Sequence, residues 1–367
     1  MKVKLVYIIL LLGFVSKTKA QEVLTLEDAV KIALENNYEI RISKNDLTVD
    51  KTDVSAGNAG MLPKIAASAV DNNNLQNTTQ TKSDGTTTTL NNAKNNSLTY
   101  GVGLNWTVFD GFRMFAKYDQ LKALQKLGEA ELKLTVVTKI SDVTSTYYDL
   151  VQQQQQLSAL DSTIVISNQR LKLAQNRFTI GKASKLEVLN AQVDLNTDTT
   201  TFLKQKELHA NTKTLLNQML ARDVKTNFKV IDTITVDDKL LLPEITSLAE
   251  KQNPQLETQI LNKKIAELQL KQIKGDRYPV VKVNTGYNFT DTESSLGFVT
   301  RSNAKGLNYG FSATLNLFDG FAQRRNEKIA KLQIDNATIA IEQQNQELQT
   351  MLVNSFQTYL TNLEQRN

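Results

Sequence analysis

The chain has 367 residues, 43 Lys and Arg against 38 Asp and Glu, a formal charge of +5 and 40% apolar residues. With no cysteine there is no disulfide framework and no lipid anchor on sulfur, and one histidine among scattered acids leaves no cluster with metal-ligand spacing. The basic excess forms no dense Lys/Arg block of the kind that binds nucleic acid, and four prolines and fifteen glycines in this length favour extended helices over an all-β domain.

The N-terminus reads as an export signal. Lys2 and Lys4 precede an apolar run from Leu5 to Val15, and Thr18 and Ala20 stand at cleavage positions, so residues 1–20 are expected to be removed and the mature chain to begin at Gln21. No later apolar run approaches the ~20 residues of a spanning helix, so entry into a bilayer would have to be as a β-barrel.

Helical Leu/Ile periodicity predicts a helical segment from Leu26 to about Asn58, a short helix and a long one, and Pro63 then opens a first strand, where its missing N–H is tolerated. Residues Asp71 to Asn96, almost wholly Asn, Thr, Gln, Ser and Lys, read as a solvated external loop. The next strand is the clearest in the chain: Leu98, Tyr100, Val102, Leu104, Trp106 and Val108 alternate with small or polar residues. Such a strand fits a membrane barrel with lipid on one side and water on the other, and equally a soluble sheet packed on one face. The export signal and the long polar connection favour the barrel, with Trp106, Phe109 and Phe112 as an interfacial girdle.

At Phe109-Asp110-Gly111-Phe112 the period changes. Asp110 is placed to cap a helix, and Gly111 allows a tight exit from the strand. From there to Phe178 the series Val136, Val143, Leu150, Leu157, Ile164, Leu171, Phe178 is spaced by seven, the mark of a coiled coil. About 66 residues at ~1.5 Å each would reach roughly 100 Å. A second helix is expected from about Ser184 to Ala221, with Val188, Leu195, Phe202, His209 and Leu216 again seven apart, so His209 reads as a packing residue in the seam.

The later part of the chain repeats the earlier part. A helix from Ile245 to about Lys274 leads to Pro279 and a strand carrying Val281, Val283, Tyr287 and Phe289. Leu307, Tyr309, Phe311, Ala313, Leu315 and Leu317 then alternate with polar or small residues up to Phe318-Asp319-Gly320-Phe321. This motif matches Phe109 to Phe112 at an offset of 209, and Pro279 matches Pro63 at 216. The seven-residue difference falls between the two marks, as expected for a loop of variable length. Tyr147-Tyr148 opposite Phe356-Gln357 gives a third landmark in the same order. The expected organisation is therefore a signal at 1–20, a first repeat at 21–222, a linker at 223–243 and a second repeat at 244–367.

These residues resemble the TolC-like outer-membrane efflux family. The matching stretches are Leu24 to Val30 with Ala33-Leu34-Glu35-Asn36-Asn37 as Ala33, Leu34, Glu35, Asn36 and Asn37 stand here, Leu62-Pro63, Phe109-Asp110-Gly111 and, most specifically, Ala174 to Gln192. The resemblance implies a mainly α fold with membrane β-structure: long coiled-coil hairpins, and four strands per chain contributing to a trimeric twelve-stranded barrel. It implies an outer-membrane homotrimer with helices reaching into the periplasm, working with a periplasmic adaptor and an inner-membrane pump, and needing no cofactor or catalytic residue. Within it Arg177, Gly181, Ser184, Leu186 and Leu189 would form the hairpin tip where the adaptor docks. On their own chemistry, Gly181 can end one helix and Ser184 cap the next, which a plain helix–turn–helix also requires. Four strands alone cannot close a barrel, whose smallest membrane forms use about eight. By the 209 offset Asn367 matches Ser158, so the second repeat is expected to lack its tip and returning helix, as in a fragment or a truncated variant.

Three functions compete at this point. The first is a passive exit duct of a tripartite efflux or type I secretion system. The second is a trimeric barrel-anchored adhesin or structural envelope protein. The third, an envelope hydrolase, lacks a Gly-x-Ser-x-Gly elbow, a cysteine nucleophile and a recognisable carboxylate pair.

Overall fold

The computed structural model describes residues 22–231, 239–295 and 299–366. The export signal and the middle of the expected linker lie outside them. In chain order the elements are β1 (Glu22–Leu24), α1 (Leu26–Asn36), α2 (Tyr38–Asp53), β2 (Lys64–Thr81), β3 (Thr87–Phe109), α3 (Arg113–Thr179) and α4 (Lys185–Met219). They are followed by β4 (Phe228–Val230), α5 (Leu242–Gln252), α6 (Pro254–Gly275), β5 (Val280–Ser294), β6 (Arg301–Thr314) and α7 (Ala322–Arg366). The chain divides into two compact units, one of residues 1–45 and 132–240, the other of 46–131 and 241–367, so the division falls within α2 and α3.

The first unit is a helical hairpin with a small core. Positions Val143, Leu150 and Leu171 of the expected heptad are buried, Val136, Leu157 and Ile164 are half-buried, and only Phe178 near the turn is exposed. The returning helix turns Val188, Leu195, Phe202, His209 and Leu216 inward in the same way. Leu24, Ala29, Ala33, Val143, Tyr147, Leu150, Leu216, Leu220 and Phe228 close the core. The Tyr147 hydroxyl donates to the Leu24 carbonyl (3.0 Å) and accepts from the Ile231 amide (3.1 Å), tying down both strands of the parallel pair β1–β4. Strand β4 lies inside the segment read as linker.

The second unit holds the sheet. Its order is β2-β3-β5-β6, antiparallel throughout. The two hairpins share one register: Lys64 pairs with Asn105, and Val280, 216 residues on, pairs with Thr314, 209 residues on from Asn105. One face carries Ile65, Ala67, Ala69, Tyr100, Val102, Leu104, Trp106, Val283, Tyr287, Phe289, Leu307, Tyr309 and Phe311 by strand alternation. Tyr100 stacks on Phe289 with centroids 5.1 Å apart. Charged residues of this face, including Asp71, Asp291 and Arg301, gather beyond the apolar band on the side away from the helices, with Lys305 at its rim opposite Phe289. The opposite face is mostly Gly, Ser, Thr and Asn, with Ala66, Val70, Val280 and Ala304 among them and Lys64 and Lys282 at the helix side. Among the described residues no helix is long and apolar enough to cross a membrane.

Two expectations need correction. The single helix expected over Ile245–Lys274 is two helices, broken at Asn253, and the short and long helices expected before the first strand meet at Asn37. Both asparagines are extended (ψ 130° and 118°) and cap the following helix: Asn37 Oδ1 accepts from the amides of Glu39 and Ile40, and Asn253 Oδ1 from those of Gln255 and Leu256. A short amide side chain competes with the helix for these donors, and Pro254 further drives its predecessor out of the helical region. The break is itself part of the repeat, at the 216 offset.

Residues 71–96, expected as a loop, mostly continue β2 and β3, and only 82–86 turn. A ribbon with water on both faces needs no apolar side, and β-branched threonines suit it. Thr79 and Thr81 face Thr89 and Thr87 with hydroxyls 3.2 and 3.4 Å apart. The turn uses left-handed Gly85, with Asp84 Oδ1 accepting from the Thr86 amide, and hydrogen bonds from the Thr86 side chain first and then its amide hold the Asp84 carboxyl below its usual pKa.

Candidate functional site

The strand-to-helix junctions have identical backbones. Gly111 and Phe112 are both left-handed (φ 70° and 67°), and so are Gly320 and Phe321 (65° and 66°). A phenylalanine in this region is strained, and both copies of the motif hold the strain alike. Phe109 packs edge-on against Phe112 at 5.2 Å, and Phe318 against Phe321 at 5.5 Å. The aspartates cap as expected: Asp110 Oδ1 accepts from the Met114 amide (3.2 Å) and Asp319 Oδ2 from the Gln323 amide (2.7 Å).

Their surroundings differ. Gly111 is buried, and a Cβ there would stand 2.2 Å from the Gly275 carbonyl oxygen and 2.9 Å from Tyr278. Phe112 meets the Tyr278 ring edge-on at 6.3 Å, and Arg113 forms an ion pair with Asp276. The second junction is supported from below by Glu327, which accepts from Arg277 Nε (2.6 Å) and Gln323 Nε2 (3.1 Å), while Gln323 also donates to the Ile273 carbonyl (2.6 Å). Burial pushes the Glu327 pKa up, but the bonds from Arg277 and Gln323 outweigh it and leave the group below its usual value. Gly320 is exposed, and a Cβ there would meet nothing within 4 Å.

The hairpin turn closes α3 with paired backbone bonds. The Gly181 amide donates to the Phe178 carbonyl (3.0 Å) and the Lys182 amide to the Arg177 carbonyl (2.8 Å), with Gly181 left-handed at φ 73°. This is the Schellman arrangement, which favours glycine. Ser184 Oγ caps α4 by accepting from the Glu187 amide (3.4 Å), and Arg177 Nη1 donates to Glu187 Oε1 (2.9 Å) across the turn. Around this small polar lock Phe178, Ile180, Leu186 and Leu189 are exposed. The structure therefore brings Arg177, Gly181 and Ser184 into one turn with Leu186 and Leu189 on the outside, whereas the junction residues belong to the other unit.

Several contributors escaped the sequence reading. Glu187 stands three residues after Ser184, the capping-box spacing, and could have been found by that signal. Gly275 and Tyr278 have no local motif linking them to Gly111. Phe228, fully buried with Lys213 Nζ 5.0 Å from the ring and Arg222 4.6 Å from it, lay in the presumed linker. His209 sits beside Leu150, Lys213 and Phe228, where burial, and then Lys213, lower its pKa and keep it neutral at pH 7. Among the described residues no group of side chains could hold a metal ion.

Comparison with known proteins agrees with this architecture. The chain is similar to the Campylobacter jejuni CmeC outer membrane channel, with 18% identity, a TM-score of 0.72, and 90% of this chain covering 68% of that one. It is similar to the outer-membrane channel OprN, with 18% identity, a TM-score of 0.75, and coverage of 93% and 75%. The outer membrane protein VceC from Vibrio cholerae gives 14% identity, a TM-score of 0.67, and coverage of 90% and 76%. No curated protein matches the sequence. The family model described as outer membrane efflux protein matches residues 29–222, from α1 through both junction and tip of the first repeat to the end of α4. The chain belongs to the outer membrane efflux protein family.

Proposed function

We propose that the chain is the outer-membrane duct of a tripartite efflux or type I secretion system. Three copies close a twelve-stranded barrel, the helices extend into the periplasm, and the Arg177–Leu189 tip receives a periplasmic adaptor that links the duct to an inner-membrane pump. The observation that carries this reading is the four-stranded sheet, apolar on one face and polar on the other, with both edge strands unpaired and each hairpin feeding a long helix through the same junction. In lipid such edges must be paired, and a barrel shared between copies pairs them. Each repeat, 21–222 and 244–367 with 223–243 between them, supplies two strands. Transport needs no catalysis by this chain, which supplies a passage while the pump supplies the energy and most of the selectivity.

The docking role of the tip rests on exposed Leu186 and Leu189 flanking a rigid turn. Gly181→Asp tests it, since nothing lies within 4 Å of a Cβ there and the change acts on the turn's outer surface and its left-handed backbone. Export of a reporter drug is expected to fall to the level of a strain lacking the protein while trimer levels hold. Unchanged export with normal trimer would remove the tip from the docking surface. Protease added to intact cells is expected to spare residues 113–219. Cleavage there from outside would instead favour the barrel-anchored adhesin.

A further inference from the structure

The two repeats are superimposable in register but not in completeness. Strand β3 extends beyond its partner β2, and its last residues pair in the ladder with β5 only: Trp106 with Val283, Thr107 with Lys282 and Phe109 with Val281, while the Trp106 indole donates to the Met61 carbonyl (2.9 Å). The matching stretch of the second repeat, Leu315–Phe318, has no strand beside it and is not in a strand. Its side chains are open, Leu317 at 89% against 45% for the matching Val108. The next turn repeats the contrast, with Gly111 pressed against Gly275 and Tyr278 while Gly320 touches nothing. The ladder beside the end of β3 comes from β5, and the cover of Gly111, Phe112 and Arg113 from the end of α6 and the turn after it; in the repeat these match β2 and the turn before it.

We infer that the missing cover of the second junction is Ala59–Ala67 of a second copy of this chain. The inference rests on the shared barrel proposed above and adds its register. Carrying the β3–β5 pairing by the offsets of 209 and 216 places Leu315 opposite Ala67 of the partner subunit, Ala313 opposite Ala69, and Leu307 opposite Leu75 on the lipid face. On the other face Thr314 meets Ser68 and Asn308 meets Asn74. Ala59 and Leu62 take the places of Gly275 and Tyr278, so Gly320 faces Ala59 and exposed Phe321 faces exposed Leu62; a Cβ at the Gly275 place would stand 2.9 Å from the Gly111 carbonyl, so Ala59 sits slightly farther from Gly320 than Gly275 does from Gly111. Phe311 and Tyr309 come to lie opposite Asp71 and Asn73, where the partner's strand passes from its apolar band into the polar ribbon.

Two features argue for this register. The ion pair Arg113–Asp276 has as counterparts Ala322 and Gly60, so both charges are absent together and neither is left unpaired at the interface. A shift of one residue would turn every apolar side chain of the edge to the polar face, which leaves only even shifts as competitors. Pairing also converts Leu315–Phe318 into strand, so that β6 ends where β3 does.

The chain has no cysteine, so paired substitutions introduce the only thiols. Leu315→Cys with Ala67→Cys and Thr314→Cys with Ser68→Cys sample the two faces, and therefore both the closely and the widely spaced pairs of an antiparallel ladder. Oxidation of outer membranes is expected to convert the single-chain band of one of these variants into covalent dimer and trimer on a non-reducing denaturing gel. Leu315→Cys with Ala69→Cys, shifted by two residues, should remain a single chain. A ladder from the shifted variant, or none from any variant while amine crosslinking of the same membranes gives trimer, overturns the register. Absence of any oligomer on amine crosslinking of the unsubstituted protein overturns the shared barrel, and the inference with it.

Discussion

The first and second junctions are one backbone in two environments. Both turn a strand into a helix through a left-handed Gly-Phe pair capped by aspartate, yet Gly111 is buried against another backbone and Gly320 is bare. Local sequence is enough to set the turn, since the four residues are identical and nothing covers the second copy. What the covering segment adds is the requirement for glycine on steric grounds as well as conformational ones.

Gly111→Ala gives the largest expected effect. The left-handed conformation costs about 1–2 kcal/mol for a residue with a Cβ, and forcing the Gly275 carbonyl away adds about 1–3 kcal/mol. Folded protein in the outer membrane, assayed by protease resistance, should fall severely. Gly320→Ala should cost only the conformational part in this chain. A loss equal to that of Gly111→Ala in the assembled protein would mean that another segment sits over Gly320, and no loss from either would break the comparison.

The helix-breaking asparagines extend the same contrast. Asn37 is buried and its Nδ2 also donates to the Met219 carbonyl (2.8 Å), so Asn37→Ala is expected to cost about 2–3 kcal/mol, a lost cap plus an unsatisfied buried carbonyl. Asn253→Ala removes a cap alone and should cost about 1 kcal/mol. Thermal melts of the purified protein order the two, and equal shifts would show that the Met219 bond contributes nothing.

The smallest effect concerns Glu327, which braces the second junction only. Its folded pKa is depressed, so the ionised carboxylate contributes stability that is full above the ordinary glutamate value and is lost as pH falls through the folded value. Glu327→Gln should lower the melting temperature at pH 7 and flatten its decline below about pH 4, near the ordinary glutamate value. An acid profile identical to the unsubstituted protein would remove Glu327 from the brace.

Much of this was legible in the sequence. The Phe-Asp-Gly-Phe motifs located both junctions, heptad spacing from Val136 to Leu171 located the seam, and strict alternation from Leu98 to Val108 located a strand, because each depends on neighbours close in the chain. The break at Asn253 was read through as helix because apolar periodicity continues across a break that only a cap creates, and the split of the first helical segment was expected without its place at Asn37. The Asn/Thr ribbon at 71–96 was read as loop because a strand wet on both faces has no apolar alternation to detect. The contact of Gly111 with Gly275 spans more than 160 residues of chain and leaves no local trace. Of the tip, Gly181 and Ser184 were visible by their turn chemistry, while the Arg177–Glu187 bridge needed coordinates.

The polar face of the sheet has a consequence for what can pass along it. Apart from Lys64 and Lys282 at one end, that wall offers amides, hydroxyls, bare glycine backbone and a few small apolar side chains such as Ala66 and Val70, so its fixed charge is confined to the two lysines. Sign selection in pores comes from rings of charged side chains. In the shared barrel proposed above, three copies would set six lysines in a ring at the helix end, so anions are expected to enter more readily than cations.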